Sequence, residues 1–136
     1  MPDPRHLRGL IDTSVLIDLD SIEAAALPAE IAVSAITMAE LAAGPHATTD
    51  ASERARRQER LQRAEATFEP LPVDSAVARA YGRVYAAVGA SGRKARGRRA
   101  VDLLIAATAV AAGLPLYTRN PEDFSGLSDI LEIVEV

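Results

Sequence analysis

The chain has 136 residues, enough for one compact domain spanning 1–136, and 49% of it is hydrophobic, enough for a real core. It holds no cysteine, which excludes disulfides and thiolate-bound zinc, and its two histidines argue against a His-rich metal site. Any metal held here is expected to be a hard ion bound through oxygen, such as Mg2+ or Mn2+. The net charge of -4 hides an uneven distribution. From Ser75 to Val101 there is no acidic residue, and that window carries Arg79, Arg83, Arg93, Lys94, Arg96, Arg98 and Arg99. One region therefore suits phosphate, while the acid-rich segments suit cations. The start, Met1-Pro-Asp-Pro-Arg-His6, is polar, and no apolar run approaches the roughly 18 residues of a membrane span. A soluble, cytoplasmic protein with no membrane partner is expected.

With no Trp, two Phe and three Tyr, packing falls to Ala, Leu, Val and Ile, which suits layered α/β structure. Leu7–Ile11 reads as a short strand ending at Asp12. Thr13 and Ser14 can cap a helix over Val15–Leu19. After the break at Pro28, Ile31–Val33 is a second strand, followed by a helix over Ser34–Ala43 that Gly44-Pro45 ends. Thr48-Thr49-Asp50 opens a charged helix over Ala51–Thr67. Its thin apolar stripe suggests an exposed arm or a helix that docks on a partner. Phe68–Pro72 is extended because of its prolines. Asp74 caps a helix over Ser75–Val88, with Tyr81, Val84, Tyr85 and Val88 on one face.

Gly89–Gly92 breaks the chain, and Arg93–Arg99 reads as a basic loop. Val101–Ala112 is a helix of small apolar residues stopped by Gly113, and Leu114–Tyr117 is a strand. Thr118–Phe124 is a loop with a short helical turn, capped by Asn120 with Pro121 in first position. Ile130–Val134 is the last strand. Alternating strands and helices give a three-layer α/β/α domain with a short parallel sheet.

In such a sheet, ligands bind beyond the carboxyl ends of the strands. Asp12 follows the first strand, Glu40 lies on the helix after the second, Asp102 opens a helix leading to a later strand, and Asn120 and Asp123 follow that strand. Acids gathered at one edge repel each other unless a cation joins them. Taken singly, each has a plainer reading. Asp12 and Asn120 suit helix caps, Glu40 an exposed helix face, Asp102 the helix dipole, Asp123 a solvated turn, and Thr118 a strand-end hydroxyl. Only their joint placement carries information.

The four segments also match a known pattern. Leu10-Ile-Asp12-Thr13-Ser14-Val-Leu-Ile resembles the opening of a PIN domain, and Ser34-Ala-Ile-Thr-Met-Ala-Glu40-Leu its second acidic motif. Asp102-Leu-Leu-Ile-Ala-Ala-Thr-Ala resembles the third, and Leu116-Tyr-Thr118-Arg-Asn120-Pro-Glu-Asp123-Phe the closing motif. In order, spacing and length the chain is similar to VapC-type toxins of bacterial toxin–antitoxin pairs. The resemblance implies a Mg2+- or Mn2+-dependent endoribonuclease, with Asp12, Glu40 and Asp102 as metal ligands and catalytic acids. Asp123 is taken as the fourth carboxylate, with Asn120 as helper and Ser14 and Thr118 orienting ligands or water. Arg119, with some of Arg93, Lys94, Arg96, Arg98 and Arg99, would hold the RNA backbone. The basic run reads equally as a solvated loop. The resemblance further implies a small VapB-type antitoxin and a homodimer, with the helices over 51–67 and 75–88 as contact candidates.

Two other readings compete. Val15-Leu-Ile-Asp18-Leu-Asp20 mimics the nucleophile motif of haloacid-dehalogenase-like phosphatases, although that motif needs a strand before the paired Asp. The second is a module that binds RNA or protein without cleaving it.

Overall fold

The computed structural model describes residues 6–92 and 97–136. Strands β1 (Arg8–Ile11), β2 (Glu30–Val33), β3 (Leu116–Thr118) and β4 (Ile133–Glu135) form a parallel sheet in the order β2-β1-β3-β4. Helices α1 (Thr13–Ile17), α2 (Ala35–Ala43), α3 (Ala51–Thr67), α4 (Ser75–Ala90) and α5 (Arg98–Ala112) complete the expected α/β/α domain.

Side chains alternate along a strand, so each strand serves two cores. Leu10, Ala32 and Leu116 face one layer, where Val77, Ala80, Val84 and Val88 of α4 meet Leu103, Ile105 and Ala106 of α5. Their neighbours Ile11, Val33 and Tyr117 face the other, against Val15 and Leu16 of α1, Leu41 of α2 and Ala64 of α3. Strands buried on both faces must be apolar throughout, as their inner residues are. Ala106, Ala107 and Ala109 of α5 are fully buried, and their small size lets the helix sit close to the sheet.

Several expectations shift. The cap of α1 is Asp12, not Thr13 or Ser14: its Oδ1 accepts the Val15 amide at 3.1 Å. Helix α3 is no detached arm. It packs on α2 and on the 3-10 turn Gly44–Ala47 and buries Ala64. Arg57 Nη1 donates to the Gly44 carbonyl at 2.8 Å and Arg54 Nε to that of Pro45 at 3.2 Å. On its outer face, hydrogen bonds from Arg56 and then Arg57 hold the Glu53 carboxyl below its usual range. That contribution is present above the ordinary carboxylate pKa and fades as pH falls through the lowered one. On α4, Tyr85 is exposed and the buried stripe starts instead at Val77. Helix α5 begins at Arg98, three residues before the expected Val101, because Gly97 takes a positive φ of 55° and lets the chain turn into the helix. Strand β4 starts only at Ile133, since the Ile130 and Leu131 amides are spent on the Leu127 carbonyl.

One glycine is dictated by packing. A Cβ on Gly9, in β1, would stand 2.5 Å from the ring of Tyr117 and 3.1 Å from Pro28. Tyr117 is fully buried and has no room to retreat. Gly9→Ala is expected to cost about 1–3 kcal/mol, a fall in Tm of roughly 3–10 °C. A thermal melt of the two proteins checks this, and an unchanged Tm would mean that the ring moves freely.

Candidate active site

The centre of the site is the carboxylate of Asp12, 6% exposed at the end of β1. A buried carboxylate needs hydrogen-bond donors. Oδ1 accepts from Ser14 Oγ at 2.6 Å and from the Val15 amide at 3.1 Å. Oδ2 accepts from Thr118 Oγ1 at 2.5 Å, across the β1–β3 pair. The two hydroxyls are themselves held: Ser14 Oγ accepts the Arg119 amide at 3.2 Å, and Thr118 Oγ1 accepts the Asn120 amide at 3.0 Å. With two acceptor positions per oxygen, Oδ1 is filled and Oδ2 keeps one position open.

Glu40, half-buried on α2, is tied to α1 by a residue that sequence reasoning gave only a capping role. Its Oε1 accepts from Thr13 Oγ1 at 2.5 Å. Thr13 Oγ1 also lies 3.0 Å from Thr37 Oγ1, which lies 3.3 Å from Ser34 Oγ. Each hydroxyl has one proton and an ionised carboxylate only accepts, so the chain has one direction: Ser34 to Thr37 to Thr13 to Glu40. Ser34 and Thr37 are completely buried. Their spacing was the available signal, since Ser34, Thr37 and Glu40 recur every third residue and share one helix face.

Asp102 lies in the second turn of α5, half-buried. Because α5 hands the chain to parallel β3, it runs back against the strands, and its N-terminal half lies at their carboxyl edge. The contact is direct: α5 packs on the 3-10 turn Pro121–Phe124, and Arg99 Nη1 donates to the Asp123 carbonyl at 3.3 Å. Asp123 is half-buried in that turn. Asn120 stands at its cap position, exposed, with no side-chain cap bond. Arg119 is exposed beside Asp12, its guanidinium 3.6 Å from Asp18. Arg99 belongs to α5 rather than to a loop, as does the backbone of Arg98, whose side chain is outside the described residues. Arg93, Lys94 and Arg96 also lie outside them.

The sheet thus carries Asp12, Glu40, Asp102 and Asp123 to one edge. Among the described residues, no group of three or more Asp, Glu or His side chains is arranged to hold a metal ion as it stands. The donors are nonetheless all oxygen, and the Asp12 carboxylate is fixed in place with an acceptor position to spare, which fits a hard divalent cation rather than a soft one. Asp18 and Asp20 do not form a phosphatase nucleophile: they follow a helix, in exposed positions, and no strand leads into them.

The sequence profile of the PIN domain matches residues 9–129, from just before Asp12 to just past Asp123. The chain belongs to the PIN-domain family. Ribonuclease VapC5 of Mycobacterium tuberculosis (strain ATCC 25618 / H37Rv) is 36% identical over 133 residues, 94% of this chain and 95% of that protein. Ribonuclease VapC8 of the same strain is 40% identical over 102 residues, 74% of this chain and 89% of its own. A crystal structure of VapBC-5 from M. tuberculosis, a member of the VapBC family of toxin-antitoxin systems, superposes with a TM-score of 0.84 over 96% of this chain and 99% of that one. The resemblance read from the four motifs therefore holds along the whole PIN domain.

In this PIN domain three hydroxyls hold the two inner acids, Ser14 and Thr118 on Asp12 and Thr13 on Glu40. Removing one without changing shape leaves a carboxylate oxygen short of a donor. Thr118→Val and Thr13→Val are each expected to lower catalytic activity or metal affinity about 10- to 100-fold, with Ser substitutions largely retaining it. Calorimetric titration of Mn2+ into each variant, alongside circular dichroism to check the fold, measures this directly.

Proposed function

We propose that this PIN-domain protein is a metal-dependent endoribonuclease, the toxin of a type II toxin–antitoxin pair, restrained by a small VapB-type antitoxin. The observation that carries the reading is the Asp12 carboxylate, buried just past the end of β1 and oriented by three donors. The likeness to Ribonuclease VapC5 over nearly the whole chain supports the same substrate class.

Asp12, Glu40, Asp102 and Asp123 would hold Mg2+ or Mn2+, with Asn120 able to offer a neutral oxygen in support. When bound, the ion supplies Lewis-acid stabilisation of the phosphodiester and a more acidic water. The protein's own part is positional. Ser14 and Thr118 hold the Asp12 carboxylate, and the hydroxyl chain ending on Thr13 holds Glu40. Preorganised groups of this kind need no rearrangement as charge develops. Arg119 and Arg99, with Arg98 and with Arg93, Lys94 and Arg96 of the neighbouring segment, supply cations for the RNA backbone. With few aromatic side chains for base stacking, recognition rests on the shape of an exposed RNA loop. A homodimer and a cytoplasmic location complete the reading, with residues 1–136 acting as one domain.

The purified protein is expected to cleave single-stranded RNA in Mg2+ or Mn2+ and to lose that activity in excess chelator. Asp12→Asn should reduce cleavage at least about 100-fold while leaving the fold intact, since Asn also serves as a helix cap. RNA binding with no cleavage under any divalent ion would overturn the nuclease in favour of a binding module.

A further inference from the structure

Asp18 is the acid that the phosphatase-like motif singled out and that the active site does not use. It lies across a cavity of about 400 Å³ lined by Thr13, Ser14, Ile17, Asp18, Arg119 and Asn120. This cavity opens directly beside Asp12, because Thr13 and Ser14 follow Asp12 in the first turn of α1. Among the described residues that line it, the cation is Arg119, which has an anchored backbone: its amide donates to Ser14 Oγ at 3.2 Å, and the flanking Thr118 and Asn120 are tied into the Asp12 cluster. The side chain is therefore the part of Arg119 that can move. It sits opposite Asp18, with Nη1 3.6 Å from Oδ2 and both groups more than a third exposed. That separation exceeds a good hydrogen bond, so the pair is held by charge alone in a solvated setting and is easily exchanged for a stronger acceptor. A phosphate is such an acceptor, because it can take two parallel N–H bonds from a guanidinium. Ile17, 44% exposed, gives the same cavity an apolar wall, and the exposed Asn120 amide offers both a donor and an acceptor.

We propose that this cavity is the subsite for the nucleotide next to the cleaved phosphodiester, and that the Asp18 carboxylate stands in for its phosphate on Arg119 until RNA arrives. The proposal rests on the nuclease reading for its substrate class. Arg119 binds the phosphate, Ile17 contacts sugar or base, and Asp18 is a competitor that weakens RNA binding. Asp18 also holds Arg119 over the cavity in the free protein, so the cation is already in place when it is displaced.

The test is a binding cycle in chelator, where cleavage cannot occur, using the full chain and a fluorescein-labelled single-stranded RNA at several salt concentrations. Arg119→Ala is expected to weaken binding and to reduce the slope of log affinity against log salt by about 0.7, the loss of one phosphate contact to a single strand. Asp18→Asn is expected to tighten binding about two- to fivefold, the scale of an exposed ion pair. In the Arg119→Ala background the same substitution should do nothing, because the competition has lost its object. Asp20→Asn, which removes an exposed acid paired with Arg63 instead, serves as the control for general charge and should leave affinity nearly unchanged. Equal tightening by Asp18→Asn with and without Arg119, or none in either, would overturn the proposal. So would a wild-type protein that fails to bind this RNA in chelator yet cleaves it in Mn2+, a result that leaves the nuclease reading intact. The expected cycle without any cleavage in Mn2+ would keep the exchange of Asp18 for an RNA phosphate on Arg119 and overturn both the nuclease and the cavity's place beside a cleaved bond.

Discussion

Asp12 sits where a carboxylate is expensive to bury, and the local structure is arranged around meeting that cost. Its three donors come from two places: Ser14 and Val15 from the first turn of α1, and Thr118 from the end of β3. The first two are local and would form wherever this turn folds. The third depends on the pairing of β1 with β3, in which Leu10 stands against Leu116 and Ile11 against Tyr117. A slip of one residue would turn the Thr118 side chain to the opposite face and leave Oδ2 without its donor. The same slip would exchange the side chains that serve the two cores, so the packing that stabilises the sheet also fixes the site.

Glu40 is held by a different device. The helix that carries it meets α1 through a file of hydroxyls that has a direction only because it ends on an acceptor. Ser34 and Thr37 are buried polar groups in an otherwise apolar layer, and their hydrogen bonds to one another and to Thr13 make that burial affordable. The inner acids are thus oriented by hydroxyls on three separate elements. Asp123 is placed more loosely, through a short turn that α5 and Arg99 brace from the side. Like charges held on separate elements need not close on one another, and among the described residues no three acids or histidines are grouped as for a metal ion.

Most of the architecture could be read from the chain. Alternating apolar strands and helices, with Gly44-Pro45 and Gly113 as stops, gave the layers, and α3 was placed at Ala51–Thr67. Errors gathered where local signals compete. The basic run disguised the start of α5, because charge suggests a loop while arginine is also a good helix former. The charge of α3 suggests an arm, yet Ala64 is buried, and Leu61 and the Phe68 ring at the C-cap pack against the same core. Tyr85 shared the helical period of the buried stripe but fell on its solvent margin.

The sequence by itself determined the family, the order of the four acids and the oxygen-only chemistry open to them, because residue type and spacing survive without coordinates. It also placed those acids at one edge, since parallel strands joined by helices share their carboxyl ends. Only the tertiary structure decided which neighbours hold each acid. That Thr118 donates to Asp12, that Thr13 serves Glu40 rather than capping α1, and that Arg119 faces Asp18 all depend on contacts between segments remote in the chain or on side-chain direction. Such contacts are set by register and packing, which a periodicity of apolar residues implies but does not specify side chain by side chain. The Asp12 carboxylate is where the two levels meet: its position is a matter of sequence, and its orientation is a matter of the β1–β3 pair.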